Sequence, residues 1–173
     1  LLGRGTKDFD FVVRGVVTDD LLSFLKKHGT VDLVGKQFGV LKFIPRGWDL
    51  EDIDIALPRT EVSTGGGRYR DFRVRASAKT TITDDLSRRD FAINAMAWDV
   101  RAGRLVDPFH GMQDLSRKRI AAVGKPEDRF REDHSRVVRA LRLAIQLGFA
   151  IENDTWRAVK RAMPRVRELV APE

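Results

Sequence analysis

Asp8-Phe9-Asp10-Phe11-Val12-Val13 joins aromatic and β-branched residues to two carboxylates at alternate positions, and it reads as a strand. On a strand, residues two apart point to the same face, so Asp8 and Asp10 present their carboxylates together. Two hard oxygen donors at that spacing suit a divalent cation such as Mg²⁺. A strand-borne Asp-x-Asp is one way to seat two metals ~3.5 to 4 Å apart for in-line phosphoryl transfer. Asp54 extends the pattern, because it stands between Ile53 and Ile55, where a carboxylate is costly to bury without a partner. The plainer alternative is a strand edge on which Asp54, with Asp52 on the same face, turns to water.

Outward from this strand, short apolar runs alternate with turn signals. Asp19 to Lys27 reads as a helix with Leu21, Leu22 and Leu25 on one face, and Thr30 to Val34 as a strand. Gly35-Lys36-Gln37-Phe38-Gly39 is a turn. Val40 to Ile44 and Ile53 to Leu57 read as strands separated by a turn over Pro45 to Asp49. Periodicity vanishes from Thr60 to Arg70 around Gly65-Gly66-Gly67, as in a loop, and structure resumes at Asp71 to Ala76. From Asp84 the pattern is helical. One helix is predicted to about Ala97, opened by Asp84 and Asp85. A short strand follows at Arg104 to Val106. A long helix from about Glu132 to Leu147 ends at Gly148, and another spans Asn153 to Met163, with Pro164 interrupting. The pattern is α+β: a mixed sheet with helices to about residue 110, and helices after it.

Composition narrows the class of protein. The chain of 173 residues has 32 Lys plus Arg, 25 Asp plus Glu and a net charge of +7, with 42% hydrophobic and 33% charged residues. Its apolar runs fall far short of the ~18 residues that a membrane-spanning helix needs. It has no Cys, so disulfides and thiolate metal sites are excluded. The imidazoles of His28, His110 and His134 lie far apart in sequence. Residues 1–100 carry 16 basic and 15 acidic side chains, and residues 101–173 carry 16 and 10. The basic second half suits a phosphate-bearing partner, or else a solvated helix surface.

Two further segments carry polar residues where packing does not ask for them. In Arg88-Arg89-Asp90-Phe91-Ala92-Ile93-Asn94-Ala95-Met96-Ala97, Asn94 is a poor mid-helix residue whose side chain competes for backbone hydrogen bonds. Arg89 there can contact phosphate in bidentate fashion or form a surface salt bridge. In Glu132-Asp133-His134-Ser135-Arg136-Val137-Val138-Arg139-Ala140-Leu141-Arg142, helical spacing puts Arg136, Arg139 and Arg142 in a slanted stripe and makes Asp133 and Arg136 neighbours. That pair is either an intrahelical ion pair of a few tenths of a kcal/mol or a base reader. One carboxylate plus one guanidinium match the amino donor and ring-nitrogen acceptor shared by adenine and cytosine. They reject guanine and uracil.

Together these segments resemble the class II tRNA nucleotidyltransferase and bacterial poly(A) polymerase family, within the polymerase-beta-like nucleotidyltransferase superfamily. The resemblance is carried by GRGTKDFDFVV (Gly3 to Val13), GKQFGV (Gly35 to Val40), DIALPRTE (Asp54 to Glu61), DDLSRRDFAINAMAWD (Asp84 to Asp99), DPFHGMQDL (Asp107 to Leu115) and RFREDHSRVVRALRLAIQLGF (Arg129 to Phe149). It implies a nucleotidyltransferase head over residues 1–110 and an all-helical, nucleotide-recognising neck over residues 111–173. Asp8 and Asp10 match metal ligands, with Mg²⁺ as the cofactor, and Asp54 matches the third catalytic carboxylate, which helps deprotonate an RNA 3′-hydroxyl. Arg89 matches a nucleotide-binding arginine, with Asp90 and Asn94 near the sugar and phosphates. Asp133 and Arg136 match the base-reading pair, and Arg139 and Arg142 match further nucleotide contacts.

The activity implied is template-independent, Mg²⁺-dependent addition of CMP and AMP from CTP and ATP to a tRNA 3′ end, in the cytoplasm. RTEVSTGGGRYRDF (Arg59 to Phe72) and NAMA (Asn94 to Ala97) are similar to CCA-adding members. A poly(A) polymerase shares the family motifs quoted above, an A-adding or CC-adding enzyme is a further alternative, and an inactive fragment or nucleotide-binding module is the alternative of another class. The family pattern places a Gly-Gly-x-x-Arg-Asp segment before Leu-Leu-Gly and body and tail helices after the neck, so the chain reads as the head and neck of a longer protein.

Overall fold

A computed structural model describes residue 3 and residues 10–34, 40–48, 52–57, 59–63, 72–76 and 80–169. The chain forms two compact units. One takes in residues 1–60 and 74–84, and the other residues 61–73 and 85–173.

The first unit is built on a mixed sheet of four strands. These are β1 (Asp10–Val12), β2 (Gly29–Val34), β3 (Val40–Pro45) and β4 (Ile53–Ala56), in the order β1-β4-β3-β2. β1 runs parallel to β4, and the other two pairings are antiparallel. α1 (Thr18–His28) forms over the predicted helical stretch, with Asp19 and Asp20 in its first turn and Lys26, Lys27 and His28 in its last, as the helix dipole favours. Its Leu21 and Leu25 pack against Leu41, Phe43 and Ile55 of the sheet. Because side chains alternate along a strand, the opposite face carries a polar row. Asp10, Asp54, Lys42 and Asp32 are register partners from β1 across to β2.

Between these elements and the next, β5 (Arg59–Ser63) and β6 (Phe72–Ala76) pair in a two-stranded sheet. β5 occupies the start of the segment predicted as loop, whose glycines lie outside the described residues. Gly35 to Gly39 lie outside them too.

The second unit has its own core, around Phe91, Ile120, Phe130, Val137 and Val159. The helix predicted over 84–97 is not continuous. α2 (Ile82–Ser87) stops, Phe91 bridges to Ala122, Ala92–Asn94 is a single 3₁₀ turn, and β7 (Ala97–Asp99) pairs with β8 (Arg104–Val106). The cause is local as well as tertiary. Asp90 Oδ1 accepts the Phe91 amide at 2.9 Å, and the Ala92 amide goes to the Ala121 carbonyl at 2.9 Å instead of continuing a helix. α3 (Gly111–Ser116) begins where the Asp107 carboxylate accepts the amides of Gly111 at 2.7 Å and Met112 at 2.9 Å. A side chain at Gly111 would strike the Ala92 carbonyl oxygen, 2.3 Å from the position of its Cβ.

The long helix predicted from Glu132 divides into α4 (Pro126–Glu132) and α5 (Ser135–Leu147). Asp133 is extended, at φ −150° and ψ 107°, and its carboxylate accepts the Ser135 amide at 2.9 Å, in the manner of a helix cap. α5 ends at Gly148 as predicted, in the left-handed conformation at φ 66°. α6 (Asn153–Leu169) does not stop at Pro164. Pro164 and Lys160, whose carbonyl loses its partner, are both exposed, so water can satisfy the gap, while Val159 and Val166 stay buried on the other side. The part after residue 110 is also not wholly helical, because β9 (Arg119–Ile120) and β10 (Ala150–Ile151) form a short parallel pair. Phe91 belongs to the core of this second unit, in one cluster with Phe130 of α4 and Val137 of α5.

Candidate active site

The first unit supplies carboxylates. Asp10 and Asp54 are register partners on parallel neighbours, about 4.8 Å apart in backbone. Asp10 is exposed. Asp8 lies outside the described residues, and among those described no three metal-binding side chains come together. What is present fits a hard divalent cation, namely carboxylate oxygens on one open sheet face. Lys42 completes the row. Its ammonium is hydrogen-bonded to Asp52 Oδ2 and stands 3.4 Å from Asp54 Oδ1. The bond from Lys42 holds the Asp52 carboxyl below its usual value, and Asp52 in turn raises the Lys42 ammonium against some desolvation. Asp54 is 41% exposed, but its strand β4 lies between β1 and β3 rather than at the edge of the sheet.

The second unit supplies guanidinium groups and their acids. Asp90 is buried, and its Oδ2 accepts a hydrogen bond from Arg139 Nε at 2.7 Å, with Arg139 Nη2 in ion-pair contact at 2.6 Å. Its Oδ1 accepts the Asn94 side-chain amide at 3.3 Å. Asn94 thus does hold something, from a 3₁₀ turn rather than from mid-helix. Asp85, 1% exposed, takes both Arg88 Nε at 3.1 Å and Nη2 at 2.7 Å, with Arg89 Nη2 3.7 Å from its other oxygen. Arg89 keeps a partly exposed guanidinium whose Nε is buried without a hydrogen-bond partner among the described residues.

Asp133 and Arg136 do not form the ion pair that helical spacing suggested. Arg136 is 8% exposed and donates to Glu132 Oε2 at 2.9 Å and to the carbonyls of Arg88 at 3.2 Å and Arg129 at 3.4 Å. Glu132 Oε1 accepts Arg129 Nη2 at 2.6 Å, so one carboxylate holds two arginines. The predicted stripe is therefore three environments: Arg136 buried, Arg139 tied to Asp90, and Arg142 exposed. Sequence reading did not name Lys42, and it gave Asp85 and Glu132 no part in the site. Lys42 becomes visible only through the register of β3 with β4, and Asp85 reads as an ordinary first-turn acid.

The chain matches the poly A polymerase head domain over residues 1–121 and belongs to that family. It is 47% identical to the CCA-adding enzyme of Streptococcus uberis over 162 residues, which is 92% of this chain and 37% of that protein. Among solved structures it is similar to the Bacillus stearothermophilus CCA-adding enzyme in complex with CTP, with a TM-score of 0.77 and 30% identity over 96% of this chain and 37% of that one. It is also similar to the Thermotoga maritima CCA-adding enzyme complexed with tRNA, with a TM-score of 0.70 and 28% identity over 95% of this chain and 35% of that one. The chain spans little more than a third of the length of these relatives. No helix among the described residues is long and apolar enough to cross a membrane.

Proposed function

We propose that this chain is the head and neck, residues 1–110 and 111–173, of a template-independent nucleotidyltransferase that adds CMP and AMP from CTP and ATP to a tRNA 3′ end in the cytoplasm. The observation that carries the reading is the register of Asp10 with Asp54 on parallel neighbouring strands. It gives one open sheet face the carboxylates that nucleotidyl transfer needs, and similarity to CCA-adding enzymes supports the substrate class.

In this reading Asp8 and Asp10 hold Mg²⁺, which supplies charge neutralisation at the transferring phosphoryl group. Asp54 accepts the proton of the RNA 3′-hydroxyl as that oxygen attacks the α-phosphorus and pyrophosphate leaves. Arg89, Arg139 and Arg142 contact the nucleotide. Asp133 reads the base together with Arg136, whose guanidinium is held by Glu132.

The test is to incubate the protein with tRNA lacking its 3′ CCA, supplying CTP and ATP separately and together. Ordered addition of two C residues and one A supports the proposal. Long A tracts with no C would replace it with the poly(A) polymerase reading, which the family description keeps in view. Asp10→Ala should lower kcat on the order of 100-fold or more, a loss of several kcal/mol of charge stabilisation. Nucleotide binding with no incorporation under any of these conditions would mark a binding module instead.

A further inference from the structure

The polar row across the first unit's sheet holds three described acids, Asp10, Asp54 and Asp32, and between the last two in register stands Lys42. Lys42 is the row's cation, and two acids hold it: Asp52 by a hydrogen bond and Asp54 through Oδ1, 3.4 Å away. Asp54 Oδ1 is shut off from water, although 41% of the side chain is exposed. One oxygen is thus turned in, 3.4 Å from the ammonium and without a hydrogen-bond partner among the described residues, so an ion pair alone engages it, and the exposure falls on the rest of the carboxylate arm. A carboxylate on an open face is otherwise free to rotate, and here its neighbour Asp10 repels it. Fixing the rotamer of an acting carboxylate matters for rate, because a displacement of about 1 Å can cost about 100-fold.

We propose that Lys42 is a positioning residue for nucleotidyl transfer, holding Asp54 by Oδ1 so that its other oxygen faces the RNA 3′-hydroxyl, while Asp52 fixes Lys42 in its turn. This rests on the reading of Asp54 given under the proposed function. It predicts a loss expressed in kcat, because Lys42 acts through Asp54.

The experiment compares Lys42→Met, Lys42→Arg, Asp52→Asn and Asp54→Ala with the unmodified protein. It measures kcat and KM for CTP on tRNA lacking its 3′ end, and follows each variant's folding by thermal melting. Lys42→Met should lower kcat about 10- to 100-fold with KM for CTP within about threefold of the original. Lys42→Arg should recover at least half of that loss on a logarithmic scale, and Asp52→Asn should lower kcat by about threefold or more. A folded Lys42→Met variant with unchanged kcat overturns the proposal, as does Lys42→Arg no better than Lys42→Met. If Lys42→Met does not fold, an unchanged kcat in Asp52→Asn overturns it. An unmodified protein without activity, or Asp54→Ala with full activity, defeats the proposed function itself and is told apart from these outcomes by that control.

Discussion

Arg136 shows how far a single side chain's meaning depends on its partners. Its buried guanidinium binds Glu132 and two backbone carbonyls, so it ties the segment around Arg88 to α4 and α5. Two consequences can be separated. Glu132→Gln removes the charge that holds both Arg129 and Arg136, and should cost roughly 1.5 to 3 kcal/mol in urea unfolding, the usual range for hydrogen bonds to charged groups. Asp133→Ala leaves that network in place and removes only the cap on Ser135 and the proposed base contact. In competition assays it should therefore admit GTP and UTP, by about 10-fold or more relative to the unmodified protein, while CTP and ATP remain substrates. Unchanged base selection would reduce Asp133 to a helix cap. The sequence made this region legible in its residues but not in its pairing. Glu132, Asp133 and Arg136 stand close enough for several combinations, and the extended backbone at Asp133 decides among them.

Elements were readable where one rule governed them, and misread where a distant partner intervened. β3, β4 and α1 follow alternation or helical periodicity, with one apolar face each, and they lie close to where the pattern puts them. The stretch from Asp84 to Ala97 has helical spacing too, yet Arg139, 49 residues away, draws the buried Asp90 carboxylate, and Ala122 bridges to Phe91. Neither partner shows in a local window.

The start of α2 is a reciprocal cap. Thr81 Oγ1 donates to Asp84 Oδ2 at 2.6 Å, and the Asp84 amide donates back to Thr81 Oγ1 at 3.1 Å. The Thr81 hydroxyl, and after it the Thr81 amide, holds the Asp84 carboxyl below its ordinary value, against a smaller effect of desolvation. A carboxyl depressed in the folded state stabilises fully above its unfolded value, near 3.8, and the stabilisation is lost as pH falls through the folded value. Thr81→Ala should therefore lower stability at pH 7. Its deficit against the unmodified protein should shrink below about pH 4, as read by urea unfolding at the two acidities. A deficit independent of pH would mean that the hydroxyl acts on the backbone alone.

At the scale of the molecule, the separation of chemistry follows the separation of cores. The carboxylate row belongs to a sheet whose apolar side is closed by α1, and the arginine network belongs to a helical unit centred on Phe130 and Val137. Each unit buries its own apolar set, so damage to one core should appear first in that unit's own backbone protection. Phe130→Ala removes a side chain only 2% exposed and should cost about 3 to 5 kcal/mol. Leu41→Ala, at a site 3% exposed, should cost about 2 to 5 kcal/mol. Native-state hydrogen exchange distinguishes local from global loss, because amides report the free energy of the cooperative unit that opens them. Phe130→Ala should accelerate exchange in α4, α5 and α6 and leave the β3 and β4 amides at their original rates, while Leu41→Ala should do the reverse. Equal acceleration throughout in both variants would show one cooperative unit, and the carboxylates and arginines would then share a single stability rather than two.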